Sequence, residues 1–215
     1  MPRTLILVDG FDHFHDLAGA ADSLRQILAA GWIPVQTAWG LSRFAERGRV
    51  VAEAEVAVLV LTGASLAASD LEDFRNRVLS GLGVVAVHAA NVPAGDLAPG
   101  GRGEGLLEIV GSRFTGHAAF GRLRVETVAR HPITEGLGPF DIDDEPYEFE
   151  WTGPEPEVLA VRRTSDGGAY PSVYARNHGE GRVAYIGLGH DARSWTHPSF
   201  RRLFERSVRW AGREL

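Results

Sequence analysis

The chain has 215 residues, 44% of them hydrophobic and 23% charged, with a formal net charge of -6 and no cysteine. That size fits one soluble domain with room for a sizeable core, and the acidic balance argues against nucleic acid or an anionic membrane as the main partner. The lack of cysteine removes disulfides, thiolate metal sites and a cysteine nucleophile together.

Strand and helix alternate through the first half. Residues 5–8 are a short continuous apolar run, as in a strand buried on both faces, and Asp9-Gly10-Phe11-Asp12-His13-Phe14-His15 is the loop that follows. This early entry into a strand, at Thr4, leaves no room for a secretory signal, and no apolar run is long enough to span a bilayer. A cytoplasmic location is therefore expected. Leu17, Ala20, Ala21, Leu24, Ile27 and Leu28 recur at helical spacing, with Gly31 as a left-handed stop. Residues 35–39 and 56–61 read as the second and third strands. Ser69 followed by Glu72 has the form of a capping box, opening a helix that Gly81 ends. Residues 84–88 form a fourth strand that delivers His88 into the small-residue turn Ala89-Ala90. Strand-helix units of this length imply right-handed crossovers and a doubly wound, mainly parallel sheet with helices on both faces.

Beyond His88 the pattern changes. Residues 91–103 are rich in Gly and Pro, long enough for a functional loop over the strand ends, and the Gly100-Gly101-Arg102-Gly103 run within them is a weak phosphate cradle because no strand precedes it. A short helix at 104–110 leads into a β-rich C-terminal half. There, residues 172–176 and 182–188 form a hairpin across Asn177-His178-Gly179-Glu180-Gly181, and an amphipathic helix started by Pro198-Ser199 closes the chain.

Ligands of open parallel sheets bind beyond the carboxyl ends of the strands. His88 is there, and so is His190, which follows the strand run ending Gly187-Leu188-Gly189. Each could serve as base, acid or metal ligand. Asp12, His13, His15 and Asp16 belong to the loop after the first strand; in an extended segment His13 and His15 would point the same way, while Asp16 could simply cap the next helix. The run Asp143-Asp144-Glu145-Pro146-Tyr147-Glu148 alternates with apolar residues, so at least one carboxylate is expected to be held inward, with Glu145 and Tyr147 on one face.

Five segments stand out in order: Val87-His88-Ala89-Ala90, Val110-Gly111-Ser112-Arg113-Phe114-Thr115-Gly116-His117, Arg130-His131-Pro132-Ile133-Thr134-Glu135-Gly136-Leu137, Asp144-Glu145-Pro146-Tyr147, and Gly187-Leu188-Gly189-His190-Asp191 followed by Trp195. Together they resemble the ThuA-like (trehalose utilisation) family, related in fold to class I glutamine amidotransferases. The resemblance covers nearly the whole chain. It implies a flavodoxin-like α/β core, with His88 where amidotransferases place their cysteine, and a role in carbohydrate metabolism with 3-keto sugars or glycosides as substrates. It also implies a divalent metal such as zinc, with His88, His117 and His190 as ligands to test.

The expectation is thus an enzyme using His88, Glu145 and His190 for acid/base or metal-assisted chemistry. Asp12, His13, His15, His117, Tyr147 and Asp191 would contact substrate hydroxyls, and Trp195 would stack on a sugar face. A non-catalytic sugar-binding or regulatory module and a metal-dependent hydrolase of a non-sugar substrate stand as alternatives. The partner is a small carbohydrate, with self-association left open. His131 reads as a structural turn residue, and His178 and His197 as exposed.

Overall fold

The computed structural model describes residues 1–10, 12–40, 53–63, 68–92 and 104–215. The Gly100-Gly101-Arg102-Gly103 run and most of the expected 91–103 loop lie outside these residues. The strands are β1 (Thr4–Gly10), β2 (Val35–Trp39), β3 (Val56–Thr62), β4 (Gly83–Val87), β5 (Ser112–His117), β6 (Gly121–Thr127), β7 (Phe140–Asp144), β8 (Tyr147–Trp151), β9 (Glu157–Arg163), β10 (Ala169–His178) and β11 (Gly181–Ile186). The helices are α1 (Leu17–Ala30), α2 (Ala68–Leu79), α3 (Glu104–Val110), α4 (Ala192–Trp195) and α5 (Pro198–Ala211).

Nine strands form one mixed sheet in the order β2-β1-β3-β4-β11-β10-β9-β6-β7, and β5 and β8 pair separately. From β2 to β11 neighbours are parallel; from β11 to β7 they are antiparallel. The sheet is therefore not mainly parallel, and connection length explains the change. A parallel crossover needs roughly a dozen residues or more. In contrast, His178 pairs directly with Gly181, leaving only Gly179 and Glu180 to turn the chain. The first half has helices between its strands; this later stretch has hairpins.

Helices cover both faces of the sheet. Buried residues of α1 and α5, including Leu24, Leu28, Phe200, Leu203 and Phe204, pack with Val58, Val85 and Ile186 in one core. Phe74 and Val78 of α2 and Leu106 and Ile109 of α3 pack with Leu59, Ala86 and Tyr185 in the other. All seven residues of β3 are buried, the signature of a strand covered on both sides. No described helix is long and apolar enough to cross a membrane.

Two boundary details differ from expectation. Gly31 ends α1 with φ -82, and the left-handed residue is Trp32, with φ 59. Ser69 falls inside the first turn of α2, which begins at Ala68, so it is not the N-cap. Asp16 does cap α1, accepting a hydrogen bond from the Gly19 amide at 2.8 Å.

Candidate active site

The parallel strands deliver their carboxyl ends to one edge, and the candidate residues gather there. His88, immediately after β4, takes φ 48, a left-handed conformation that is costly for a side chain with a Cβ and that clusters at functional sites. Fully buried Tyr185 on β11 donates its hydroxyl to the His88 carbonyl at 2.9 Å and holds the bend. The His88 ring lies with Nδ1 3.2 Å from the Gly187 carbonyl. That acceptor fixes the proton on Nδ1, so Nε2 presents its lone pair to the cleft.

Glu145 arrives from the opposite half, in the Glu145-Pro146 turn between β7 and β8. Its Oε2 lies 3.3 Å from His88 Nε2 and 3.1 Å from His190 Nδ1, and its Oε1 lies 3.8 Å from His117 Nε2. His88 Nε2, Glu145 Oε2 and His190 Nδ1 are all buried and make no hydrogen bond. Three orphaned polar atoms facing one another are costly unless a proton or cation lies between them. Burial alone would raise the Glu145 carboxyl; the neighbouring His88, His190 and His117 rings outweigh it and hold the group below its ordinary value.

His15 completes the cluster. His15, His88, Glu145 and His190 each offer one ligand atom, all within 4.8 Å of one another. The His15 ring is oriented from behind: Nδ1 lies 2.7 Å from Asp12 Oδ2, and Thr62 donates to that same oxygen at 2.6 Å. Burial of Asp12 opposes ionisation, but the Thr62 and His15 hydrogen bonds and two backbone amides more than offset it and hold the carboxyl far below its ordinary range. His15 itself is lowered, first by burial and then by His88 and His190, against the raising influence of Asp12. Its Nε2 lies 3.3 Å from the Tyr147 hydroxyl. The buried Tyr147 ring packs 4.0 Å from His88 and 4.5 Å from Phe114; burial, reinforced by Glu145, Asp12 and Asp144, pushes its phenol well up, so it remains an O–H donor.

Three imidazoles and one carboxylate are a donor set suited to zinc or a similar divalent metal. The ring nitrogens of His15 and His88 that face away from the cluster engage a carboxylate and a carbonyl, the arrangement that orients metal-binding histidines. The residues present therefore fit a divalent ion. The set differs from the expected one: His15 is in it, and His117 is not. His117 sits further out, its side chain 33% exposed, with Nδ1 2.8 Å from the Ala118 carbonyl.

Other expected substrate contacts are placed elsewhere. Trp195 is 4% exposed and donates its indole N–H to the Gly189 carbonyl at 2.7 Å, so its ring is core and offers no face to a sugar. Asp191 caps α4 through the Arg193 amide at 2.9 Å and pairs with the Arg193 guanidinium; its oxygens are committed there. Asp12 serves His15 and not the open cleft. His13 is exposed while His15 points inward, because Asp12 Oδ1 accepts from both the Phe14 and His15 amides and folds the segment into a turn, which removes the strand alternation.

Of the remaining histidines, His131 caps a short 3-10 turn by accepting from the Ile133 amide at 3.1 Å, and His197 caps α5 through the Ser199 amide at 3.2 Å and is half-buried. His178, expected exposed, is buried (9% exposed) because the hairpin docks on α2: a Cβ on Gly179 would lie 2.8 Å from the Leu79 backbone. His131 and His178 are both lowered, each mainly by burial. Both bind protons more readily unfolded than folded, so their contribution is complete above the unfolded value of about 6.5 and declines as pH falls below it. Urea midpoints are expected to drop between pH 7.5 and pH 5.5, and to drop less in His178→Gln; an equal drop would show that His178 carries none of it.

The family model described as ThuA, trehalose utilisation, matches residues 3–211. A ThuA-like protein of Parabacteroides merdae superimposes with a TM-score of 0.80 at 19% identity, over 99% of this chain and 90% of its own. One from Bacteroides uniformis gives 0.76 at 18%, over 98% and 91%. The β-galactosidase of Rahnella sp. R3 gives 0.70 at 15% identity, over 98% of this chain but 31% of the enzyme. No curated protein matches the sequence.

Proposed function

Because the chain belongs to the ThuA family, we propose that it is an enzyme of carbohydrate metabolism, acting on a sugar, 3-keto sugar or glycoside by acid/base chemistry at the histidine-carboxylate cluster. The single observation that carries this reading is the convergence of Glu145 on His88 and His190 with three buried polar atoms unpaired. The reading takes the parallel strands, ordered β2-β1-β3-β4-β11, as a flavodoxin-like doubly wound core, whose ligands bind at the carboxyl ends of the strands.

In a 3-keto glycoside the hydrogen on C2 is acidified by the neighbouring ketone. Glu145 takes that proton through Oε1, the oxygen turned toward His117 and the outer cleft, while Oε2 stays against the histidines. The C2 electron pair forms the C1–C2 double bond, the C1–O bond breaks, and the leaving oxygen takes up the proton that Glu145 has removed. Tyr147 donates its O–H to the ketone oxygen as negative charge develops there. Each acid or base contributes on the order of a hundred- to ten-thousand-fold. His15, His88, His190 and Glu145 would hold a divalent metal, which when bound supplies Lewis-acid stabilisation of an oxyanion.

The test is incubation of the protein with 3-ketotrehalose and 3-keto-glucosides, following release of the leaving sugar or alcohol by chromatography before and after chelator treatment. Turnover is expected, together with divalent metal in protein purified without chelator. Binding of these sugars with no turnover of any would instead mark a sugar-binding module.

A further inference from the structure

Asp144 closes β7 and is completely buried, yet its carboxylate meets four donors. Oδ1 accepts from the Glu145 amide at 2.8 Å and the His190 amide at 3.2 Å. Oδ2 accepts from the Gly189 amide at 2.7 Å and the Ser194 hydroxyl at 2.6 Å. A buried charge of this kind is tolerated only when its lone pairs are matched. Three of the four donors are main-chain groups, and two of those belong to the residues whose side chains approach to 3.1 Å, Glu145 and His190.

The other side of the loop has little slack. Gly189 takes φ +119, and a Cβ there would lie 3.0 Å from Val87 Cγ1 and 3.2 Å from the Phe200 ring. Between β4 and Asp144 the His190 backbone therefore has one seat. We infer that Asp144 is the positioning residue of the site, setting the separation of Glu145 and His190 from behind without itself facing the cleft. This inference rests on reading the cluster as an acid/base and divalent-metal site.

Asparagine cannot substitute. Its amide keeps one acceptor oxygen and turns an NH2 toward main-chain N–H groups, so either Gly189 or the Glu145 and His190 pair loses its acceptor. Asp144→Asn is to be compared with the wild-type protein for folding by circular dichroism, for Co2+ and Zn2+ affinity by absorbance and chelator competition, and for histidine ring resonances by NMR.

The expected result is a folded variant whose metal affinity falls roughly 10- to 100-fold, as for other groups that orient ligands. The His190 and His88 resonances move, and those of His131 and His197, each fixed by its own cap, do not. A folded variant with wild-type affinity and an unmoved His190 overturns the inference. If the wild-type protein binds neither ion, the metal reading fails, and the His190 resonance alone decides for or against Asp144. If Asp144→Asn does not fold, Ser194→Ala, which removes one donor, is expected to shift His190 with a smaller loss of affinity, and an unshifted His190 overturns the inference there too.

Discussion

Glu145→Gln is expected to lower kcat on a keto-sugar substrate by about a hundred- to ten-thousand-fold, the contribution of a general base, in a protein that remains folded. The substitution keeps the shape of the side chain and exchanges an acceptor oxygen for an NH2. That group can donate to His88 Nε2 or His190 Nδ1, which lie 3.3 and 3.1 Å from Glu145 Oε2. Two orphaned ring nitrogens can accept from the new donor, which offsets the lost carboxylate–imidazole attraction, so the metal-free variant should lose little stability. Affinity for a divalent ion should fall at the same time, because an amide is a neutral ligand in place of an anion. Loss of activity with little loss of stability is thus the signature, read from kinetics and urea denaturation of one preparation.

The pH dependence follows the same logic. The Glu145 shift is downward, so the carboxylate is already ionised well below neutrality, and its stabilising interaction with the imidazoles is present above the unfolded value of about 4.3 and lost as pH falls through the lower folded value. Between pH 5 and pH 8 Glu145 therefore contributes no step to the rate profile. Unchanged kcat in Glu145→Gln would sink the assignment of the base.

What the sequence reveals depends on the distance over which each residue's role is set. Continuous apolar runs announce β1, β3 and β4, and the position of His88 after such a run places it at the ligand-binding edge. That at least one carboxylate of the 143–148 run turns inward is legible from its alternation with apolar neighbours, but not that both Asp144 and Glu145 do. His15 is harder to rank above His13, because the Asx turn made by Asp12 defeats the alternation that would pair them. Trp195 looks like a sugar platform until α4 turns its indole N–H onto Gly189. The role of Asp144 leaves no local mark, since the amides it binds at Gly189 and His190 come from 45 and 46 residues downstream. The antiparallel half is legible only at its tightest hairpin, where a two-residue turn admits no crossover.

Gly10→Ala is the change expected to cost the most stability for the least added volume. Gly10 ends β1 opposite Thr62 of β3, with φ +89. A Cβ there would lie 1.8 Å from the Thr62 carbonyl oxygen and 2.8 Å from its carbon. Both are backbone atoms in a central strand pair, so no side chain can rotate away to make room. Left-handed strain costs about 1–2 kcal/mol and overpacking a further 1–3 kcal/mol, giving a loss of about 3 kcal/mol, or roughly 6–12 °C in Tm for a chain of this size. The damage also reaches the site. Prising Thr62 from β1 weakens its 2.6 Å bond to Asp12, the carboxylate that orients His15. Metal affinity in Gly10→Ala should therefore fall even at temperatures where the protein is fully folded. Gly138→Ala is the control, because a Cβ there meets nothing within 4 Å; it should be neutral or up to about 1 kcal/mol stabilising through its effect on the unfolded chain. A Gly10→Ala protein as stable as Gly138→Ala would mean that β1 and β3 do not approach at this point, and the route from β3 through Asp12 to His15 would fall with it.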